Sequence, residues 1–314
     1  MNHSDHVQAV AHHASAAASS PVAASWRRCL TLYGLSPEEA RVPDRLGDSE
    51  FRAARERSSP LIEEASSELD RLFSMVGKAG CCLLLTDERG VALERRGAAG
   101  DDKDFRGVGL WSGTIWSEAS VGTNGIGTAL ADERPVLIER DQHFLSRNTR
   151  LSCATAPIRD HRGRVTAAID ISTCRDDASD MALMILHHAV REAAQRIETN
   201  LFRRAFPQAR ILLVPVDKAA PALLAIDRDD LVLGATRAAR LRLGLDDERI
   251  AVGVPAADLL GEDAGLKGEP LLEAERAALR RELSRSGGNV SQAADSLGIS
   301  RATLYRKMKR LQVN

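Results

Sequence analysis

Residues 271–314 hold the sequence pattern that most restricts how this chain can fold. Leu272, Leu279 and Leu283 fall on one face of a predicted helix, which ends at the Gly-Gly pair 287–288 because glycine forms a left-handed cap without strain. Two shorter helical segments follow and are separated by one glycine. Three amphipathic helices joined by tight turns in so short a segment predict a compact, all-helical C-terminal domain.

The second and third of these helices have the features of a helix-turn-helix. Ala293 and Ala294 are small enough for two helices to cross closely, and Gly298 can supply the turn between them. Ser300 is a favourable N-cap for the third helix, which the pattern predicts over residues 301–311. This third helix would occupy the position of a recognition helix, the element that such domains place in the major groove of DNA.

The predicted third helix has an apolar side and a basic side. Leu304, Met308 and Leu311 share one stripe because four and three residues separate them. Arg301 and Thr303 lie near the N-terminal end, where base edges are closest, and the Arg fork can pair with guanine. The later basic residues are predicted to hold phosphates, and for the tyrosine both packing and a phosphate contact stay open. The predicted DNA-binding residues are Asn289, Ser291, Ser300, Arg301, Ala302, Thr303, Tyr305, Arg306, Lys307, Lys309 and Arg310.

The net charge of the chain is divided unevenly. Residues 271–314 carry nine Lys or Arg against four Asp or Glu, a net charge of +5, while the whole chain carries -1 and the remainder therefore -6. Cations placed near phosphates gain affinity by releasing condensed counterions, so a basic module on an acidic body is typical of a protein that reads nucleic acid. A solvated basic helix in a bundle is the alternative, which the succession of turn and cap residues disfavours.

Residues 75–206 predict an α+β domain built on an antiparallel sheet. A polar, glycine-containing turn at 159–164 is typical of a hairpin. An apolar-periodic segment over about 178–206 predicts a long helix that closes the domain and can act as a coiled-coil connector. The strand-like segments are 81–86, 91–94, 135–139, 152–158 and 165–172.

Composition and periodicity assign the remaining segments. Residues 1–20 are rich in Ala, Ser and His and predict a disordered tail, whereas residues 21–74 predict helices. Residues 207–252 predict three short strands and a helix. Gly, Pro and Asp scattered through residues 253–270 predict a flexible linker. The expected fold class of the chain is α+β, with a separate all-helical C-terminal domain.

The segment 116–130 is the densest motif of the α+β domain. Its glycines, and those at 107–113, miss the dinucleotide spacing, and the sequence has no Gly-x-x-x-x-Gly-Lys-Ser/Thr motif, which argues against nucleotide hydrolysis. A tight loop entering a helix is favoured over direct ligand contact as the reason for these glycines. The candidate ligand-binding residues are Trp111, Trp116, Asn124, His143 and Cys153, although packing or loop capping is the favoured role of each.

The cysteines are informative about the cellular location of the protein and about disulfide and metal chemistry. Cys29, Cys81, Cys82, Cys153 and Cys174 show neither a disulfide framework nor paired metal-ligand spacing, so a cytoplasmic protein without a metal or other cofactor is expected. The sequence has no basic leader before an apolar run and no stretch of eighteen apolar residues, so neither export nor a membrane span is predicted.

Two motifs near the C-terminus resemble the Fis-type helix-turn-helix. They are Gly288-Asn289-Val-Ser-Gln-Ala-Ala and Ile299-Ser-Arg-Ala-Thr-Leu-Tyr-Arg-Lys-Met-Lys-Arg-Leu. That family binds double-stranded DNA as dimers, so the resemblance implies a homodimer and inverted half-sites one or more helical turns apart.

Several motifs of the body resemble the GAF sensor domain of acetoin-regulator-like bacterial activators. The resemblance implies a six-stranded antiparallel sheet with a pocket for a small-molecule effector, and residues 207–252 resemble a degenerate PAS segment. The family's central ATPase is missing, which implies action by recruitment of RNA polymerase, by occlusion or with another activator. The motifs are 116–130, His143-Phe144-Leu145, Cys153, Ala156-Pro157-Ile158, Ile169-Asp170-Ile171-Ser172, Ser25-Trp26-Arg-Arg-Cys29 and Tyr33-Gly34-Leu35.

Two other classes of function stay open at this point. The body can be a redox enzyme or redox sensor that uses cysteines on a GAF fold, as a free methionine sulfoxide reductase does. The tail can also serve only to dimerise a scaffold, in which case DNA binding would be absent or nearly independent of salt.

Overall fold

The chain forms two compact units, Met1–Ala256 and Ala257–Asn314. The computed structural model describes residues 2–216, 221–228, 230–260 and 270–313. The boundary between the units falls within the segment that the sequence assigns to a linker, so the predicted C-terminal domain lies in a unit of its own. None of the helices in the described ranges is both long and apolar enough to cross a membrane.

A five-stranded sheet forms the centre of the first unit. Its strands are β1 (Cys81–Asp87), β2 (Ala92–Arg96), β3 (Val136–Glu139), β4 (Ser152–Arg159) and β5 (Val165–Thr173). They lie in the order β2-β1-β5-β4-β3, and each neighbouring pair is antiparallel. The five predicted strands are confirmed, whereas the sixth strand that the family resemblance implies does not occur in this sheet among the described residues.

Helices cover both faces of this sheet. In chain order they are α1 (His3–His12), α2 (Ala14–Ser19), α3 (Pro21–Thr31), α4 (Asp48–Arg57), α5 (Ser59–Val76), α6 (Asp102–Val108), α7 (Glu118–Val121), α8 (Gly125–Asp132) and α9 (Asp180–Ala205). The long helix predicted to close the domain is α9, and it packs against α5 and against β4.

The alternation of side chains along β1 separates two apolar cores. Leu83 and Leu85 lie in the core shared with α5 and α9, whereas Cys82 and Leu84 lie in the core on the opposite face. The opposite core also contains Trp26 of α3, so the N-terminal helices contribute to it. Because both faces of β1 are covered, the strand reads as a continuous apolar run in the sequence rather than as an alternating one.

The N-terminal residues 3–19 are helical, so the predicted disordered tail is wrong. The side chain of Asn2 accepts a hydrogen bond from the Asp5 N–H at 2.8 Å, and the Asp5 carboxylate accepts one from the Asn2 N–H at 3.2 Å, which forms a capping box. Val7 and Ala11, one helical turn apart, are buried. The amino-acid composition does not indicate this helix, because its buried stripe contains so few apolar side chains.

A smaller antiparallel sheet follows α9 within the first unit. Its strands are β6 (Arg210–Leu213), β7 (Leu223–Ile226) and β8 (Val232–Ala235), in that order, and they match the three predicted strands. Helices α10 (Arg237–Leu243) and α11 (Asp247–Val252) follow the last strand. The likeness of this segment to a PAS domain stays a prediction.

The first part of the predicted linker has regular structure, which corrects that prediction. Ala256–Leu260 forms the short helix α12, Leu231 forms an isolated antiparallel bridge with Pro255, and the Val232 N–H donates to the Val254 carbonyl at 2.9 Å. These backbone bonds attach the segment to β8. Residues 261–269, the rest of the predicted linker, lie outside the described residues.

The C-terminal unit contains the three predicted helices. They are α13 (Pro270–Arg285), α14 (Val290–Ser296) and α15 (Arg301–Arg310). Gly287, Gly288 and Gly298 all have positive φ, between 56° and 82°, so the glycines stand where the chain turns from one helix to the next.

Candidate functional site

Helix α15 is anchored to the C-terminal unit through its apolar stripe. Leu304 and Leu311 are buried in one cluster with Leu279 of α13 and with Ala293 of α14, and Met308 packs against that cluster. The small alanine lets α14 approach its neighbours, as the sequence predicts. The rest of the surface of α15 is therefore free to face solvent.

The exposed side of α15 is rich in hydrogen-bond donors. Tyr305 has 59% of its surface exposed, although it is a large ring in a helix with a buried stripe. Thr303 and Lys307 are only half-buried. The exposed residues are Arg301, Ala302, Tyr305, Arg306, Lys309 and Arg310.

Two of the predicted DNA-binding residues are helix caps. The Asn289 side-chain oxygen accepts hydrogen bonds from the N–H groups of Ser291 and Gln292, at 3.1 and 3.2 Å. The Ser300 hydroxyl accepts one from the Thr303 N–H at 3.1 Å. These side chains satisfy backbone donors that a helix start leaves free, so their first role is to begin α14 and α15 at the observed residues.

Polar contacts position two arginines of α15. The Arg301 guanidinium donates from Nη1 to the Ser291 hydroxyl at 3.3 Å, which links α15 to the start of α14. The Arg306 guanidinium donates from Nη2 to the Thr303 hydroxyl at 3.3 Å. Each bond uses one of the five N–H donors of a guanidinium, so most donors of both residues are free for another partner.

Lys307 and Arg310 both form ion pairs with Glu275 of α13. The hydrogen bond from Lys307, with the two nearby positive charges, holds the pKa of the Glu275 carboxyl below its usual range. The sequence assigns both cations to phosphates, but it gives no indication of this partner because 32 residues separate Lys307 from Glu275. The pairing reduces the positive charge that α15 presents at its C-terminal end.

Two of the candidate ligand-binding residues in the first unit have structural roles. Trp116 is buried, and its indole N–H donates to the Gly109 carbonyl at 3.1 Å. Asn124 is also buried; its side-chain oxygen accepts from the Gly127 N–H at 2.9 Å, which caps α8, and its side-chain N–H donates to the Gly122 carbonyl. Both agree with the packing and capping roles that the sequence favours.

His143 and Cys153 belong to a buried polar cluster on the sheet face opposite α5 and α9. The His143 Nε2 atom lies 3.4 Å from the Cys153 sulfur, and the Ser172 hydroxyl oxygen lies 3.1 Å from that sulfur. Asp170 is hydrogen bonded to the hydroxyls of Ser172 and Thr155. Burial lowers the pKa of His143 to about 4 and raises the pKa of Asp170 to about 6, so the histidine is neutral at pH 7.

Helix α8 closes the space above this cluster. A Cβ atom added at Gly125 would lie 2.7 Å from the Cys153 Cβ, so the helix backbone rests directly on β4. Only a glycine permits this approach. Trp116, Asn124, His143 and Cys153 are all buried, so none of these four candidates is open to solvent in this conformation.

The cysteines give no support to redox chemistry. Burial raises the pKa of Cys29, Cys81 and Cys174 to about 11 and that of Cys82 to about 12. The pKa of Cys153 is also raised by burial. Since the thiolate is the reactive form, these thiols are inert near neutral pH.

A buried ion-pair network joins α3 to the motif at residues 116–130. The Arg28 guanidinium donates from Nε and Nη2 to the two carboxylate oxygens of Glu118, at 2.9 and 2.8 Å, and Nη2 also lies 2.8 Å from an Asp132 oxygen. The Glu118 side chain is 2% exposed and that of Arg28 is 30% exposed. The hydrogen bonding of Arg28 to the Glu118 carboxylate is the largest cause that raises the pKa of Arg28.

Hydroxyl groups complete this network. The Ser25 hydroxyl donates to the Glu118 carboxylate at 2.5 Å and lies 2.6 Å from the Thr123 hydroxyl. The sequence identifies Ser25-Trp26-Arg-Arg-Cys29 only as a family motif, and the structure adds the reason for it. The motif faces the glycine-rich segment and satisfies its buried carboxylate.

Trp111 is the one candidate ligand-binding residue in a described open cavity. It lines a concavity of about 320 Å³ together with Arg106, whose guanidinium carbon lies 3.9 Å from the centre of the indole ring. The Arg95 guanidinium carbon lies 4.1 Å from the same ring. Both distances are those of cation–π stacking.

Comparison with known proteins gives two family matches. The family described as MimR, N-terminal domain, matches residues 3–199, and the family described as Bacterial regulatory protein, Fis family, matches residues 271–311. The first match covers the N-terminal helices, the five-stranded sheet and most of α9. The second covers α14 and α15 and nearly all of α13.

Two curated relatives with similar sequences are transcriptional regulators by name. The acetoin catabolism regulatory protein of Cupriavidus necator is 34% identical over 246 residues, which are 76% of this chain and 36% of that protein. MimR of Mycolicibacterium smegmatis, named as the propane 2-monooxygenase operon transcriptional activator, is 30% identical over 190 residues, or 59% of this chain and 30% of that protein. The chain thus spans about a third of the length of these relatives.

A solved structure confirms the fold. The crystal structure of the Escherichia coli DhaR(N)-DhaL complex superimposes with a TM-score of 0.51 at 22% identity, over 72% of this chain and 76% of that one. Within this chain, residues 200–270 separate the two matched segments, and the sequence has no phosphate-binding Gly-x-x-x-x-Gly-Lys-Ser/Thr loop. The chain belongs to the MimR N-terminal domain family of bacterial regulators and carries a Fis-type helix-turn-helix.

Proposed function

We propose that this protein is a transcriptional regulator that binds double-stranded DNA in a sequence-specific manner through α15. The observation that carries the proposal is the exposed side of α15, where guanidinium, ammonium and hydroxyl donors surround a helix whose other side is fixed in an apolar core. This is the arrangement that a recognition helix needs, because base edges and phosphates are read by donors held in a fixed register.

The contacts divide the predicted DNA-binding residues into three groups. Arg301, with Ala302 and Thr303 beside it at the N-terminal end of α15, is proposed to contact base edges. Asn289 and Ser300 cap their helices, and their exposed positions at helix starts suit a nearby phosphate. The remaining residues, Ser291, Tyr305, Arg306, Lys307, Lys309 and Arg310, are proposed to position the helix or to hold phosphates.

Selection from a random duplex library tests the DNA-binding function directly. The full chain is expected to enrich an inverted repeat and to bind it roughly a thousandfold more tightly than unrelated DNA. Measured by fluorescence anisotropy, the logarithm of the affinity is expected to fall with the logarithm of salt concentration, with a slope of about -0.9 for each phosphate neutralised. A flat salt dependence, or no enriched sequence, would contradict the proposal and favour a scaffold role.

Glu275→Gln is expected to raise affinity for unrelated DNA by several-fold and to make the salt slope steeper by about one unit. The physical reason is that Lys307 and Arg310 lose their shared carboxylate and become free to bind phosphates. Sequence preference, the ratio of specific to nonspecific affinity, is expected to stay unchanged, since phosphate contacts add affinity to every sequence alike.

The matched control for that change is Glu282→Gln. Glu282 lies on the same helix and pairs with Arg285, so its replacement changes the net charge equally without freeing a cation of α15. The role of Glu275 in masking α15 is refuted if both variants raise nonspecific affinity by the same factor.

We also propose how the rest of the chain contributes. The protein is a homodimer of two such modules, which matches the inverted repeat expected for Fis-type domains. A small-molecule effector binds the first unit and changes the presentation of the two DNA-binding modules, with α9 as the connecting element. Because the chain has no phosphate-binding loop, regulation proceeds without ATP hydrolysis, by recruitment of RNA polymerase, by occlusion or with a second activator.

A further inference from the structure

Two open concavities meet at Gly107 in α6. One has a volume of about 320 Å³ and contains Trp111, and the other has a volume of about 500 Å³. Gly107 is part of the lining of both. We refer to the two concavities together as the α6 groove. Its volume is in the range of small-molecule sites rather than of flat macromolecular interfaces.

The α6 groove is strongly cationic. Its charged lining comprises one carboxylate, Asp104, and five cations from three separate segments of the chain. In the described part of the chain, none of these cations lies within 4.0 Å of a carboxylate oxygen, although most other arginines of this unit form such pairs. The five cations are Arg45, Lys103, Arg106, Arg147 and Arg150. Unpaired cations that converge on one concavity in an acidic body produce a focused positive potential.

Two of the five cations are held in place by contacts that leave donors free, and the backbone of a third is fixed. The Arg106 guanidinium stacks on Trp111. The Arg147 guanidinium donates to the carbonyls of Arg41 and Gly107 at 3.2 and 3.3 Å. The backbone of Arg45 is fixed by an antiparallel bridge to Thr114. A preorganised cation binds an anion more tightly than a mobile one, because less side-chain entropy is lost.

The contacts within the protein do not explain why residue 107 is a glycine. It is the penultimate residue of α6 and has helical conformation, for which alanine is the more favourable small residue. Its φ is not positive, and a Cβ atom added to it would meet no described atom within 4 Å. Neither backbone strain nor close packing therefore requires glycine here. A glycine at this position does allow a ligand to approach the helix backbone closely.

We propose that the α6 groove is a binding site for a small polyanion, a metabolite that carries two or more closely spaced carboxylate or phosphate oxyanions. Trp111 and Gly107 form its floor, and the five cations surround it. Opposite charge within about 4 Å is favourable even in water, and several such contacts add up to measurable affinity. The site belongs to the first unit and α15 to the C-terminal unit, so it can be tested without DNA and regardless of the outcome for α15.

Calorimetric titration of the full chain with citrate and with inorganic phosphate, at constant ionic strength, tests the site. Saturable binding of either probe is expected, and the tighter one identifies carboxylate or phosphate as the preferred group. Arg106→Gln and Arg150→Gln are each expected to weaken binding about fivefold, by the loss of one charge contact. Gly107→Glu, which adds a carboxylate without a clash, is expected to abolish it.

Two controls separate a built site from general charge effects. Arg52→Gln removes an exposed arginine of α4 that lies outside the α6 groove, and its binding is expected to equal that of the unchanged protein. Gly107→Ala is expected to keep or raise thermal stability while it weakens binding, because the methyl group enters the groove and not the core. Lack of saturable binding of both probes overturns the proposal. An equal loss of probe binding in Arg52→Gln also overturns the proposal. So does the result that the cations of the α6 groove are needed only for binding of duplex DNA.

Discussion

Arg28→Ala is expected to lower the free energy of unfolding of the first unit by about 3–5 kcal/mol. The change removes the only guanidinium that the described residues bring to the buried Glu118 carboxylate, whose side chain is 2% exposed. A carboxylate left in that position loses two charge-assisted hydrogen bonds and keeps only the Ser25 hydroxyl as a close donor. The large effect thus comes from the unpaired buried charge.

Urea unfolding followed by tryptophan fluorescence measures the stability of the first unit, which contains Arg28. The three tryptophans, Trp26, Trp111 and Trp116, all lie in the first unit, so the signal is independent of the C-terminal helices. Arg27→Ala is the matched control, since Arg27 is the exposed neighbour on α3, and it is expected to change stability by less than about 0.5 kcal/mol. Equal unfolding midpoints for the two variants would show that the network does not stabilise the unit.

A double variant identifies the cause of the loss. Arg28→Ala combined with Glu118→Gln is expected to recover part of the stability, because the amide removes the unpaired charge and keeps a similar shape. If the double variant is no more stable than Arg28→Ala, the unpaired charge of Glu118 is not the cause of the loss.

The strands of the first unit could be predicted because local signals agree with the tertiary structure. The run at 81–85 is apolar throughout and five of the eight residues at 165–172 are apolar, while the hairpin turn at 159–164 is polar and contains Gly163, which has a φ of 81°. The N-terminal helix α1 could not be predicted in the same way. Its two buried apolar residues, Val7 and Ala11, and its capping box have meaning only when α3 and the rest of that core are in place.

The candidate sites show the same division. The positions of α15 and its apolar stripe follow from a spacing of three and four residues, which is visible in the sequence. The pairing of Glu275 with Lys307 and Arg310, and of Arg28 with Glu118, joins residues 32 to 90 positions apart. Sequence periodicity does not identify such pairs. A charged residue on a helix surface occupies the same position in the pattern whether it faces solvent or a partner.

Arg301→Ala is expected to weaken binding to the selected DNA sequence by about 1–3 kcal/mol, or roughly ten- to a hundredfold, and to relax the base preference at one position of each half-site. A guanidinium that pairs with guanine discriminates among bases, whereas a phosphate contact does not. Arg301 is the first residue of α15 and is exposed, and among the described residues its side chain has one hydrogen bond, to Ser291. The substitution therefore removes the proposed base contact and leaves the packing of the apolar core in place.

Two comparison variants turn that expectation into a test of mechanism. Lys309→Ala is expected to weaken binding to all sequences by a similar factor and to reduce the salt slope by about one, as loss of a phosphate contact does. Ser291→Ala removes the internal partner of Arg301 but leaves its guanidinium, so it is expected to retain base preference. If Arg301→Ala instead weakens every sequence equally, as Lys309→Ala does, then Arg301 holds a phosphate, and the base contacts must come from the neighbouring Ala302 and Thr303.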